Sequence, residues 1–472
     1  MHDQLNRRFL RLSENHVAVD PQALPVGQAR FIRNENARDL VPGVVARMRS
    51  AGMLADVPAD NPRLAEPVAA VKASLRMAFV GTYPPRRCGI ATFTRDLAQA
   101  VGSAGEQLPM TLALTEPGGR YEYPPDVGYE IRQGVKGDYA RAAEFLNYSD
   151  VRLVSIQHEH GIFGGDDGAY VLDLVSALHI PAVATLHTVL KDPSDSQRSV
   201  IEALSRKCAR LVVMSRVAAD LLRRSYGIGG HNVRIIPHGI PVMHPRDQQA
   251  LKTMFGVPGR RMLLTFGLLA PGKGIETVIR ALPALTAEFP DVVYFVVGAT
   301  HPAVVRRHGE GYRTTLEREA ERLGMREHVV FRDQFVTTEE LCSYMQAADI
   351  FISPYQNEAQ VTSGALSYAM GAGAAVVSTP YWHAQELLAD GRGHLFPFGD
   401  SAALGAVLAS LLRSPAELAR MRAAAYELTR SLVWPRVGEA HLALARAIVA
   451  EVPAHPRRPR SPLASGFMLD TA

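Results

Sequence analysis

The chain has 472 residues, 47% of them hydrophobic and 21% charged. That balance excludes a disordered or fibrous protein, and the length exceeds the roughly 250–300 residues at which one hydrophobic core stops growing, so two or more domains are expected. Fifty-one lysines and arginines against 47 acidic residues leave a formal charge of +4, spread along the chain with no basic stripe, and so give no indication of a nucleic-acid partner.

Residues 1–75 are rich in Arg, Asn, Pro and Ala and carry only short helical patterns, as over residues 40–53; they read as an N-terminal extension with weak helices. The pattern changes at Met77, where the apolar strand MAFVG runs into the loop TYPPRRCGIAT and a helix-like TRDLAQAVGSAG. Strand-like runs follow at PMTLALT, VRLVSIQHE, PAVATLHT, RLVVMS and VRIIPHG, with helical patterns between several of them. Such alternation predicts βαβ units and a parallel sheet buried on both faces. A second series, RMLLTFGLLA, VVYFVVGAT, HVVFRD, IFISPY, AAVVSTP and GHLFPF, repeats the pattern. Two doubly wound sheets in tandem are therefore expected, over residues 76–245 and 246–430, then a helix over 431–454 and a flexible tail over 455–472. Cys88, Cys208 and Cys342 are too widely spaced for a disulfide framework or a zinc site, which predicts a reducing, cytoplasmic setting. No run approaches the ~20 apolar residues of a membrane span, and no secretory signal is evident.

In open parallel sheets ligands bind beyond the carboxyl ends of the strands, where helix N-termini and backbone amides converge. The pieces found there, TYPPRRCGIATFTRDLA, TLHT, VVMS, IPHGI, FGLLAPGKGIETVIRALP, AADIFISPY, GALSYAMGAGAAVVST and HAQELLADGRGHLF, follow one another in a telling order and spacing. Together they resemble the retaining glycosyltransferases of family 4. The resemblance implies the GT-B architecture, an α/β fold of two tandem Rossmann-like sheets facing across a cleft. It also implies transfer of a hexose from a nucleotide-sugar donor to a sugar, oligosaccharide or glycolipid acceptor, with no metal or other cofactor.

Carried over by position, the resemblance gives Lys273 the lysine that meets the donor's diphosphate, flanked by Gly272 and Gly274, which let a backbone approach an anion. Leu268 stands where that loop usually carries an arginine. In NEAQVTSGALSYAMG the family has two glutamates eight positions apart; this chain has Gln360 and Tyr368 there, with Glu358 as an alternative acid. Gln360, Glu358, Glu386 and His158 are the expected sugar-binding groups, and Tyr368 the group at the nucleotide. Thr362, Ser363 and Gly364 open a helix whose free N–H groups suit a phosphate; N-capping by Thr362 or Ser363 is the other use of that turn. Gly89 and Arg86 are further candidates for donor phosphate, Arg86 or Arg87 replacing the missing loop arginine. His187 is the expected cleft histidine and, with Lys273, the candidate catalytic pair. QHEHGIFGGDDG gathers His158, Glu159, His160, Asp166 and Asp167 for acceptor binding. Trp382 and His383 replace the small glycines usual there and are expected to narrow the pocket or provide an apolar platform for a sugar or base. The loss of the acid at Tyr368 keeps open a glycoside phosphorylase using sugar-1-phosphate and inorganic phosphate, and a non-catalytic sugar-binding protein.

Overall fold

The computed structural model describes residues 75–105 and 107–451, which lie in the compact unit Ser74–Ala472. The expectations for residues 1–74 and for the tail fall outside the described residues. In the first lobe β1 (Met77–Gly81), β2 (Met110–Thr115), β3 (Val127–Arg132), β4 (Leu153–His158), β5 (Ala182–Leu186), β6 (Arg210–Val213) and β7 (Val233–Ile235) form one parallel sheet in the order 3-2-1-4-5-6-7. Every residue of β1, β4 and β5 is buried, as strands of a parallel sheet between two helical layers are. Those layers are α1 (Gly89–Ala104), α2 (Lys136–Asn147), α3 (Val171–Ala177), α4 (Asp195–Lys207) and α5 (Arg216–Tyr226). Helix α1 buries Phe93, Leu97 and Val101, a stripe at four-residue spacing.

The second lobe repeats the design. Its strands β8 (Arg261–Phe266), β9 (Val292–Val297), β10 (Val329–Arg332), β11 (Ile350–Ser353), β12 (Ala375–Ser378) and β13 (His394–Leu395) are parallel in the order 10-9-8-11-12-13. They are flanked by α6 (Gln248–Met254), α7 (Ile275–Glu288), α8 (Pro302–His308), α9 (Gly311–Arg322), α10 (Thr338–Ala347), α11 (Gly364–Gly371), α12 (Trp382–Leu388), α13 (Ser401–Arg413) and α14 (Pro415–Thr429). The architecture is thus two Rossmann-like α/β lobes, as the alternating pattern predicts.

One strand escapes the sequence pattern. β3 reads VGYEIR, buries only Ile131 and exposes alternate residues because it is an edge strand. The last helix, α15 (Trp434–Glu451), returns to the first lobe, where Gly438 lies so close to Ala100 of α1 that an added Cβ would be 2.6 Å from its backbone. A parallel bridge between Ile240 and Val433 ties the two chain crossings together, with Ile240 N–H donating to Leu432 and Trp434 N–H to Ile240. In both sheets the order reverses beside the first strand, between β1 and β4 and between β8 and β11, which opens a crevice at their carboxyl ends. Among the described residues no single helix is long and apolar enough to cross a membrane.

Candidate functional site

The loop after β8 shapes the second-lobe wall of the crevice. Gly274 has φ of 69° and its Cβ, if present, would lie 1.9 Å from the Pro354 carbonyl, so only glycine lets this loop press on the chain leaving β11. Gln356 N–H completes the contact by donating to Gly272 at 2.8 Å. Between the two glycines the Lys273 ammonium rests 3.9 Å from the centroid of the Tyr355 ring. Tyr355 stacks on Tyr381, whose hydroxyl meets Ser353 at 2.9 Å and also bonds Ser363. Lys273 is therefore held half-buried by a cation–π contact above a path of side chains that leads to the start of α11. Among the described residues no carboxylate pairs with it. Its charge is felt at His301, whose pKa is lowered by burial and then by Lys273 and Arg306.

Helix α11 begins at an N-cap, Ser363, whose hydroxyl accepts from Leu366 N–H. Ser363 N–H itself donates to His383 Nδ1 at 2.9 Å. The next two amides, Gly364 and Ala365, have no acceptor within the helix and are free for an anion. The Thr362 hydroxyl beside them is buried and has no partner among the described residues. Capping and an open first turn thus coexist, because the cap serves only one of the orphan donors. Gln360 reaches back to the Thr362 carbonyl at 2.9 Å, and Glu358 is exposed.

On the first lobe, His187 follows β5, with its ring edge-on to Phe93 at 4.7 Å. Its Nε2 lies 3.2 Å from Gln157 Oε1, while the Gln157 amide nitrogen donates to Ser155. That arrangement assigns the His187 proton to Nε2 and leaves a lone pair on Nδ1. Burial pulls its pKa down to about 3, so the ring is neutral near pH 7. Gly89 is the exposed first residue of α1, with open space around the position of its missing Cβ.

Four expected site residues are engaged or buried away from the crevice loops. Arg86 donates to the Leu114 carbonyl at 3.0 Å and pairs with Glu116 at 3.2 Å, so its charge is spent at the end of β2; Arg87 is exposed. His158 is sealed in the first lobe, its ring parallel to Phe163 at 5.8 Å, and burial lowers its pKa to about 3. Both oxygens of Glu386 accept from the first backbone amides of α5, Arg216 at 3.0 Å and Val217 at 3.1 Å. The carboxylate is a helix cap across the lobes, favoured by the positive end of the helix dipole. Tyr368 is buried, and its hydroxyl points at Asp96 of α1, 3.4 Å away. The acidic loop after β4 is likewise satisfied internally: Glu159 accepts from Thr188 and Asp167 from Ser194. Among the described residues no group of His, Cys, Asp or Glu is arranged to hold a metal ion.

Residues that sequence reasoning did not single out complete the crevice. His238, from IPHGI, stands 4.9 Å from Phe93, and a Cβ on Gly364 would be 2.9 Å from its Nε2. Only its place in a motif signalled it. Ser215 donates to the Val361 carbonyl at 2.8 Å, and Val361 and Trp382 pack into the first lobe's core. The lobes therefore touch at the β6 end and at the Tyr368–Asp96 contact.

The family description "Glycosyl transferases group 1" matches residues 249–428, and "Glycosyltransferase Family 4" matches residues 88–243. Together they span more than half of the chain. A phosphatidyl-myo-inositol mannosyltransferase of Mycobacterium leprae is 30% identical over 260 residues, 54% of this chain and 64% of that protein. A GDP-mannose-dependent alpha-(1-6)-phosphatidylinositol monomannoside mannosyltransferase of Mycolicibacterium smegmatis is 30% identical over 183 residues, 38% of this chain and 45% of its own length. The chain thus spans less than two thirds of the length of these relatives. In three dimensions it resembles HepE of Anabaena in complex with UDP, with a TM-score of 0.64 and 16% identity over 79% of this chain and all of that one. Sucrose-phosphate synthase from Thermosynechococcus elongatus gives a TM-score of 0.66 and 18% identity over 80% of this chain and 100% of that one. At these identities the likeness establishes the fold, GT-B.

Proposed function

The chain belongs to glycosyltransferase family 4, and from that membership we propose that it transfers a hexose from a nucleotide-sugar donor to a sugar or glycolipid acceptor with retention of configuration. The observation that supports this reading is the chain of contacts from the Lys273 ammonium over Tyr355 to Tyr381, which reaches Ser363 at the start of α11. His187 and α1 connect to the α11 turn through Phe93 and His238, whose Nε2 borders Gly364. As the bond from the sugar's anomeric carbon to the donor phosphate breaks, negative charge grows on the leaving diphosphate, and Lys273 with the Gly364 and Ala365 amides stabilises it. The acceptor oxygen bonds to that carbon on the same face, and its proton ends on the departing phosphate. Neutral His187 offers its Nδ1 lone pair to a sugar hydroxyl. Because a lysine and fixed amides supply the positive charge, the step is proposed to need no metal.

Mannose is the proposed hexose, and a glycolipid the proposed acceptor, since both relatives are named as mannosyltransferases and their names carry phosphatidyl-inositol or its mannoside. The free cysteines Cys88, Cys208 and Cys342 support a reducing, cytoplasmic setting. The test is turnover of the purified chain with GDP-mannose and UDP-glucose, with lipid and sugar acceptors, with and without EDTA, followed by assignment of the product anomer. Inversion, or loss of activity in EDTA, refutes those parts of the proposal; no transfer with either donor refutes the whole. One observation favours phosphorolysis instead: Tyr368, at the position where the resemblance puts an acid, is buried against Asp96. Sugar-1-phosphate formed from a glycoside and inorganic phosphate would establish that alternative.

A further inference from the structure

The crevice holds a histidine that the transfer just described does not use. His238 lies on the segment leaving β7, with its ring 4.9 Å from Phe93 of α1, 6.2 Å from Tyr368 of α11 and 5.9 Å from Trp434 of α15. Its Nδ1 is 2.7 Å from the Gly239 carbonyl, so the ring proton sits on Nδ1 and Nε2 keeps a lone pair. That lone pair borders the first turn of α11, where a Cβ on Gly364 would be 2.9 Å away. A phosphate oxygen docked on the Gly364 amide would then face an imidazole lone pair. Two acceptors repel unless a proton lies between them.

We propose that a donor phosphate binding at Gly364 takes up one proton, shared between its oxygen and His238 Nε2, so that His238 couples donor binding to pH. The proposal rests on the reading of this crevice as a phosphate-bearing donor site. The proton comes from solvent, and no other bond forms or breaks. In the free protein burial holds His238 neutral, with a pKa of about 4, so the nitrogen is empty and ready to accept. The other titratable groups around it are already engaged. His187 directs Nε2 to Gln157, and His383 of α12 accepts from Ser363 at Nδ1. Both are driven to about 3 by burial and then by repulsion from His238, so a second positive charge among the three rings is disfavoured. Tyr368 spends its hydroxyl on Asp96, whose own pKa is raised by burial.

Calorimetric titration of the whole chain with GDP and with UDP, in buffers of differing ionisation enthalpy, reads the protons taken up per nucleotide. The wild type is expected to exceed His238→Asn by close to one proton, a difference from which the ligand's own ionisation near pH 6 cancels. Wild-type affinity, which needs no variant, is expected to rise at least about threefold from pH 8 to pH 7. Equal uptake in both proteins, or a flat wild-type affinity, overturns the coupling and leaves the donor reading intact. Failure of both nucleotides to bind the wild type overturns the donor reading and this inference with it.

Discussion

Lys273→Ala removes an ammonium held 3.9 Å from the Tyr355 ring from a side chain that is itself only half-buried. A unit positive and a unit negative charge about 4 Å apart attract by about 4 kcal/mol at the effective dielectric of a protein surface. The cation–π contact that Lys273 gives up when it swings to a phosphate offsets about 1 kcal/mol of this. The net loss of about 3 kcal/mol in the transition state corresponds to roughly a hundredfold fall in kcat/KM. The assay is initial-rate transfer from GDP-mannose, with thermal unfolding measured on the same preparation. Because the side chain is only half-buried, Tm is expected to stay within about 2 °C. A fall in kcat/KM below about fivefold with an unchanged Tm would refute the electrostatic reasoning. Lys273→Arg, which keeps the charge but changes reach and donor geometry, is expected to recover only part of the rate.

Glu386→Gln weakens a cap whose two oxygens hold the Arg216 and Val217 amides across the lobes; a loss of about 1 kcal/mol is expected by chemical denaturation, and small-angle scattering should report a more open shape. Unchanged scattering and stability would show that the contact does not hold the lobes. Gly274→Ala forces a side chain onto a left-handed backbone and 1.9 Å from the Pro354 carbonyl; a loss of more than about 2 kcal/mol and of donor turnover is expected, and wild-type behaviour in both would sink the account of this loop. Asp138 would have its pKa raised by burial, but hydrogen bonds from the Arg132 side chain and amide, and from Arg141, hold it below the usual carboxylate range. Stability from that group is thus present above the unfolded-state value near about 4 and is lost as pH falls through the folded value. Asp138→Asn should lose stability at pH 7 and flatten the acid limb of unfolding; an unaltered limb counts against the cluster.

Legibility followed burial. Strands with both faces covered, such as β1 and β9, show as unbroken apolar runs, whereas edge strand β3 had no such signal. The loops at the strand ends were readable because glycine and lysine in FGLLAPGKGIE and small polar residues in VTSG have few other uses together. The partners of single polar side chains were not readable. Glu386 finds its amides 170 residues away and Tyr368 its carboxylate 272 residues away, distances over which no local pattern carries information.

Hydrophobic periodicity and loop chemistry in the sequence alone determined two parallel α/β lobes and the positions of Lys273, His187 and the α11 turn beyond strand ends. Tertiary packing alone decided which charges remain free. Arg86 was drawn to Glu116, His158 into the core and Glu386 to a helix end, while His238 was carried to the mouth of α11. The reason is physical: burial leaves a polar group only the partners that the fold brings near, none among the described residues for the ring nitrogens of His158, and chain crossings set that neighbourhood, not adjacent residues.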